Sequence, residues 1–297
     1  MDKYYRHYKG RLYRLLHIAT IEATPEKQAV IYQALYDDGK IWMRPFENFF
    51  ESVEVDGKNV PRFQEIELKN VQEEIPLYLR PQYHFPDLEF TNEALPLSSP
   101  GEGLTKSVKG MVHLMVGSGI VKEPLFNGLT NDDDIEREVV SRISSFQEGD
   151  DPEPIFHLIQ AWGGMGGRGL YVRPKEWEWS AILPHYKALI AACDKTKDCS
   201  EDSMKVLSDV VRSFEKDVKH MGIAFITKHS RFWLTRTLGN NALPIYDRIM
   251  AKTIMGKDIP EGKDLLAYWQ VMLSKAEHHR ISLVALERQI FIWAFNE

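Results

Sequence analysis

Cysteine is nearly absent, with only Cys193 and Cys199 in 297 residues, spaced C-x5-C in a Lys/Asp-rich stretch. A structural zinc site needs about four ligands, and a disulfide scaffold needs several pairs. Neither fits, so the two cysteines read as surface thiols in a reducing compartment, and no metal or cofactor is expected. No run of about 18 apolar residues occurs, so no membrane-spanning helix and no membrane partner is expected. The opening Met1-Asp2-Lys3-Tyr4-Tyr5-Arg6-His7 lacks the apolar core of a signal peptide, which makes a cytoplasmic protein the expectation. Repeats and low-complexity tracts are missing as well. So is an excess of positive charge: 37 Lys+Arg against 43 Asp+Glu give a net charge of −6. That excludes a uniformly basic nucleic-acid coat but leaves room for a local basic site. What remains is ordinary for a folded chain, 43% apolar and 27% charged, at a length that suggests two domains.

The pattern predicts an α+β protein: a small antiparallel β domain over residues 1–67, a Pro-rich connector over 68–103 and a mainly helical domain over 104–297. Short runs of strand formers at 12–19, 28–36 and 41–45 are separated by turn residues such as Asp37-Asp38-Gly39-Lys40, and residues 46–50 and 53–57 continue that pattern. The 67–103 stretch holds Pro76, Pro81, Pro86, Pro96 and Pro100, which no single helix accommodates, and reads as an extended strap. Apolar residues then recur at helical spacing in 104–121, 179–193, 202–219, 228–238, 247–255, 263–275 and 281–295. Residues 131–153, with nine acidic and two basic residues, read as a solvated helix followed by a loop.

Two motifs carry candidate chemistry. Gly164, Gly166 and Gly169, in Gln160 to Gly169, formally satisfy G-x-G-x-x-G. A dinucleotide site also needs a preceding strand and an acidic residue about 20 positions on, and position 189 is Leu. A nucleotide-dependent oxidoreductase is thus the weakest reading. A tight loop where backbone passes close to a neighbour is the structural reading, and a flexible loop that lets Arg168 or backbone amides approach a substrate phosphate or base is the functional one. The second motif is Phe214 to Trp233. A helix is predicted to end near Met221-Gly222 and another to begin at Thr227 as N-cap, with Lys228 in its first turn. A lysine there loses its proton more readily, because the positive helix end and the neighbouring cations oppose its charge, and a neutral lysine is a nucleophile. Nineteen residues on, Asp247 follows Leu243-Pro244-Ile245-Tyr246 at the predicted start of another helix, where amides favour a carboxylate. Residues 212–252 hold eight Lys/Arg and three Asp/Glu, a local +5 in an acidic chain. Alone, Lys228 reads as an exposed helix lysine and Asp247 as a cap; together they form a nucleophile and a charge-stabilising carboxylate.

Ile226-Thr227-Lys228, Leu243-Pro244-Ile245-Tyr246-Asp247 and the tail Ser282 to Phe291 resemble the helix-hairpin-helix DNA glycosylase superfamily, and within it bacterial proteins described as having the 8-oxoguanine DNA glycosylase fold. The resemblance covers about 150–297. It departs from the usual Gly-x-Gly hairpin in having one glycine, in Met221-Gly222-Ile223-Ala224. It implies a helix-hairpin-helix glycosylase-like fold and base flipping from double-stranded DNA carrying a damaged or modified base. It also implies Lys228 and Asp247 as catalytic residues, with Lys228 forming a Schiff base at the sugar and strand cleavage by lyase chemistry. Phosphate contacts are expected from Arg168, His229, Arg231, Arg236 and Arg248, and base-pocket walls from Trp162, Phe232 and Trp233. An oxidised purine is the default base; a hypermodified phage cytosine, as in phage defence, is the alternative. The rival class is a non-catalytic reader of modified DNA. Residues 6–63 resemble a separate small family of unknown function, through His7-Tyr8-Lys9-Gly10-x-x-Tyr13, Val30-x-Tyr32-x-x-x-Tyr36, Trp42-x-Arg44-Pro45, Phe49-Phe50 and Pro61-Arg62-Phe63. A stability or docking module, or a nucleic-acid or modified-base contact through Tyr8, Trp42 and Arg44, are the readings open for it.

Overall fold

The computed structural model describes residues 3–93, 95, 103–174 and 177–296. The chain divides into two compact units, Met1–His84 and Phe85–Glu297. The fold is α+β, an antiparallel sheet unit followed by a mostly helical one.

In the first unit the strands are β1 (Lys3–His7), β2 (Leu12–Ile21), β3 (Thr24–Ala34) and β4 (Ile41–Pro45). After helix α1 (Phe46–Phe50) come β5 (Ser52–Val55), β6 (Lys58–Pro61) and β7 (Phe63–Ile66). The five-stranded sheet has the order β4-β3-β2-β1-β7, and β5 and β6 pair as a separate hairpin. Register sets Tyr5 opposite Tyr13, His7 opposite Phe63 and Tyr32 opposite both Leu15 and Trp42. Strand alternation therefore puts Tyr5, His7, Tyr13, Tyr32, Arg44 and Phe63 on one face. Phe49 of α1 stacks on Phe63 at 4.1 Å and closes an aromatic core with Tyr5, Val30 and Tyr32. The sheet is strongly curled. Arg44 lies on one edge strand and Phe63 on the other, edges about 19 Å apart in a flat sheet, yet the guanidinium is 5.9 Å from the ring centroid.

The structure differs from the sequence reading of this region in three places. Residues 46–50 form a helix, because Pro45 ends the β4 ladder and the Phe46/Phe49/Phe50 spacing gives one apolar helical face. β1, absent from the strand runs read in the sequence, is an inner strand of the sheet. Nor is 68–103 one free strap. Residues 68–79 make short 3-10 turns whose Ile75, Tyr78 and Leu79 are buried, and Tyr78 Oη donates to Asp37 O at 3.0 Å. Leu79 also occupies the space a Cβ at Gly39 would need, 2.5 Å away, where φ is +67°. Beyond the boundary, Phe90 is buried and the Thr91 backbone exchanges hydrogen bonds with the Gln289 amide at 3.0 and 2.6 Å. Apolar and polar residues on both sides thus find partners in their own unit. Pro96, Pro100 and Gly101 lie outside the described residues.

The second unit contains α2 (Lys106–Gly117), α3 (Asp132–Ser145), α4 (Glu153–Trp162), α5 (Trp179–Lys195) and α6 (Glu201–Asp217). It continues with α7 (Ile223–Trp233), α8 (Thr235–Leu238), α9 (Arg248–Met255), α10 (Leu265–His279) and α11 (Leu283–Asn296). Asn131 and Asp134 form a reciprocal capping box at the acidic start of α3. Helix α7 is buried on nearly every side, against α3, α4, α5, α6 and α8, which makes it the central helix of the unit. Among the described residues, no helix is long and apolar enough to cross a membrane.

Candidate functional site

The turn before α7 differs from the sequence expectation. Helix α6 ends at Asp217, and the left-handed residue is His220, at φ +66°, rather than a glycine. Helix α7 begins at Ile223 with Gly222 as N-cap, four residues before Thr227, because Ile223, Phe225 and Ile226 already belong to its buried surface. Glu215 of α6 accepts from the Ile223 amide at 3.2 Å, which satisfies one of the open donors of the first turn. Lys228 is therefore mid-helix, and the helix-end argument for its reactivity does not apply. Thr227 caps nothing; its hydroxyl donates back to Ile223 O at 2.9 Å.

That hydroxyl has a second task. Thr227 Oγ1 accepts from the Tyr246 amide at 3.1 Å, and one residue further along each segment Lys228 Nζ lies 3.6 Å from Asp247 Oδ2. Their side chains are 11% and 16% exposed, so the pair is largely shielded from solvent screening. Asp247 is the N-cap of α9 and accepts from the Met250 amide at 3.0 Å, which fixes its rotamer. Phe225, one turn before Lys228, sets its ring centroid 5.0 Å from the ammonium.

The segment leading to Asp247 is irregular backbone inside the protein, where unpaired amides and carbonyls are costly. Side chains satisfy it. Trp269 Nε1 donates to Pro244 O at 2.9 Å, Tyr268 Oη donates to Ile245 O at 2.8 Å, and the Glu287 carboxylate accepts from the Ile245 amide. Glu287 is in turn paired with Arg231, one helical turn after Lys228, at 3.7 Å. Burial pushes the Glu287 carboxyl above its ordinary range, against the pull of Arg231. Asp247 thus projects from a clamped support.

The glycine run follows a helix and forms a 3-10 turn, Gly164–Leu170, so the strand that a dinucleotide fingerprint requires is absent. Its glycines serve close packing near the lysine. A Cβ at Gly163 would come 2.5 Å from Phe225 Cε1 and 3.1 Å from Lys228 Cδ, and one at Gly167 would come 2.5 Å from Gln160 Oε1.

The other predicted residues separate into two groups. His229 is fully buried and stacked on Phe156. Gln160 Nε2 donates to its Nε2 at 3.1 Å, and its Nδ1 faces Tyr186 Oη at 3.1 Å, which also accepts from Trp233 Nε1 at 2.8 Å. Burial holds the ring well below its ordinary pKa, so it is neutral and unsuited to a phosphate. Arg231 is buried in its pair with Glu287, and Phe232 and Trp233 are wholly inside the core. All four were expected at a ligand and instead pack inside the helical unit. Arg236 is partly exposed and 3.5 Å from Asp194. Trp162 is half-buried, edge-on to Phe232 at 5.0 Å. Arg168 and Arg248 are exposed; Arg168 donates to Met165 O at 3.1 Å, and Arg248 directly follows Asp247.

Glu287, Tyr268 and Trp269 support the site and were not singled out in the sequence, and Thr227 was read there as a helix cap rather than as the partner of the Tyr246 amide. Glu287 left one signal, a lone acid within the apolar helix Leu283-Val284-Ala285-Leu286 to Ile290. Among the described residues no three His, Cys, Asp or Glu side chains gather as a metal site would need.

Residues 3–65 match the model of a family described as a protein of unknown function, DUF1653. The match spans the sheet unit from β1 into β7 and agrees with the resemblance read over 6–63. No curated protein and no solved structure matches the chain.

Proposed function

We propose that the helical unit is a helix-hairpin-helix DNA N-glycosylase with lyase activity, acting on a damaged or modified base in double-stranded DNA. The observation that carries this reading is the Lys228–Asp247 pair, 3.6 Å apart and held on α7 and at the start of α9. A nucleophilic amine beside a fixed carboxylate suits displacement at a sugar carbon. In this mechanism Lys228 hands a proton to Asp247, and its amine attacks C1′ of the flipped nucleotide. The C1′–N bond breaks, and its electron pair leaves with the base. The amine then loses a second proton while the ring oxygen takes one up, which opens the sugar to a Schiff base. β-Elimination of the 3′ phosphate cleaves the strand. Arg168 and Arg248, both exposed, contact backbone phosphates.

The test is base release. Duplexes carrying an oxidised purine, a hydroxymethylated cytosine or a glucosylated cytosine are incubated with the full chain, and free base and strand cleavage are followed. One of these bases is released, and Lys228→Gln abolishes both products while the fold persists by circular dichroism. Release that survives Lys228→Gln, or DNA binding without release on every substrate, contradicts the reading and leaves the ion pair as a structural element of a DNA reader.

A further inference from the structure

The sheet unit carries a partly buried cationic centre that the chemistry at Lys228 does not use. Arg44 donates from Nε to Tyr32 Oη at 3.3 Å and from Nη1 to Asn48 Oδ1 at 2.5 Å. Both acceptors are neutral, and among the described residues no carboxylate lies within ion-pair distance of it. Arg62 does have one, Glu51, to which Asn48 Nδ2 also donates at 2.6 Å. His7 stacks edge-on against Phe63 at 4.8 Å, and the Arg44 guanidinium lies 5.9 Å from the centroid of the same ring. Arg44 and His7 therefore flank one phenylalanine on the concave side of the curled sheet. Asn48 links Arg44 to the Glu51–Arg62 pair, and Lys9 Nζ lies 5.7 Å from the Tyr8 ring centroid, so the three cations gather here. Burial, and then the charges of Arg62, Arg44 and Lys9, hold His7 below its ordinary pKa. Tyr8 lies against His7, ring centroids 4.3 Å apart, and is 38% exposed. Its amide donates to Arg62 O at 3.0 Å, which ties it to the same centre.

A partly desolvated guanidinium that lacks a counter-charge attracts an anion more strongly than a solvated one. Planar arginine forks match phosphate oxygens, and an exposed aromatic ring beside them offers a stacking surface for a base. A carboxylate ligand has no use for the ring, and a purely apolar ligand leaves the cation unpaired. We propose that the rim of the concave face, beside the core that α1 closes, binds a nucleoside phosphate, with the phosphate at Arg44, Arg62 and Lys9 and the base on Tyr8. The ligand is a free nucleotide or a nucleotide of a nucleic-acid strand. This inference does not rest on the reading of Lys228.

The test is calorimetric titration of the full chain with deoxyadenosine monophosphate, inorganic phosphate and a short single-stranded oligonucleotide, for the natural sequence and for Arg44→Gln, Tyr8→Ala, Lys9→Ala and Lys228→Gln. Binding of the mononucleotide identifies a free nucleotide, and binding of the strand alone identifies nucleic acid; either supports the proposal when it carries the variant pattern. Arg44→Gln weakens binding about tenfold or more, as loss of a charge-assisted contact should. Tyr8→Ala weakens it about fivefold, the worth of a stacked base, and Lys228→Gln leaves it unchanged. Tyr8 and Lys9 are exposed, so their variants fold and keep the test decisive if Arg44→Gln does not. No binding of any probe, binding lost only in Lys228→Gln, or inorganic phosphate binding as tightly as the nucleotide with Tyr8→Ala silent, overturns the proposal.

Discussion

In the helical unit Lys228, Arg231 and Arg288 lie 3.6, 3.7 and 2.8 Å from Asp247, Glu287 and Glu136, with all six side chains mostly withdrawn from water. In the sheet unit Arg44 donates to a phenol and an amide and, among the described residues, has no carboxylate within ion-pair distance, while Arg62 shares Glu51, a carboxylate still 39% exposed. A buried charge pair commits its attraction to position, because separating the partners leaves a charge in a poorly polarisable interior. A half-exposed cation with neutral partners retains its attraction for something outside the fold. The same residue types therefore support a clamped constellation in one unit and an anion-seeking surface in the other.

The largest test of this contrast removes one carboxylate from each unit. Glu287→Ala leaves the Ile245 amide without its acceptor and Arg231 with the more distant Glu136, 4.0 Å away, and costs about 3 kcal/mol. Glu51→Ala releases Arg62 toward solvent and costs about 1 kcal/mol or less. Urea unfolding of the two variants measures both. Equal losses would break the comparison.

A smaller effect comes from protons. Burial pushes His157 down to about 3; its Nδ1 meets Tyr171 Oη at 2.8 Å and its Nε2 lies 3.4 Å from Glu153. The unfolded chain binds a proton at this histidine below about 6.5, whereas the folded chain does not until about 3. Its contribution to stability is therefore complete above about 6.5 and is lost as pH falls toward 3, by about 2 kcal/mol between 6.5 and 5. His229, shifted in the same direction by its own burial, adds to the loss. The urea midpoint of the helical dichroism signal falls between pH 7 and pH 5, and His157→Gln, which keeps a polar group toward Tyr171, removes part of that fall. A midpoint independent of pH would contradict the burial argument.

Much of the framework was legible in the sequence because hydrophobic periodicity and turn residues are local signals. Helices α5, α6, α9 and α11 fall within a few residues of their expected spans, and Asp247 stands at a helix start. The start of α7 was misplaced because Thr227 has the chemistry of a cap, while its hydroxyl is in fact shared between Ile223 O and the Tyr246 amide, a contact nineteen residues away. His229, Arg231, Phe232 and Trp233 read as ligand contacts because polar and aromatic residues beside a reactive lysine suggest them. Only three-dimensional packing reveals that α7 is central and that its neighbours to Lys228 face inward. Glu287 was equally hidden, since its partners come from α7 and from the segment before α9.

The most direct measurement of the central claim is borohydride reduction of the full chain on a duplex with an abasic site, followed by mapping of the cross-linked peptide. A covalent protein–DNA adduct is expected on Lys228 and is absent in Lys228→Gln. An adduct on another residue, or one that persists in Lys228→Gln, would contradict it.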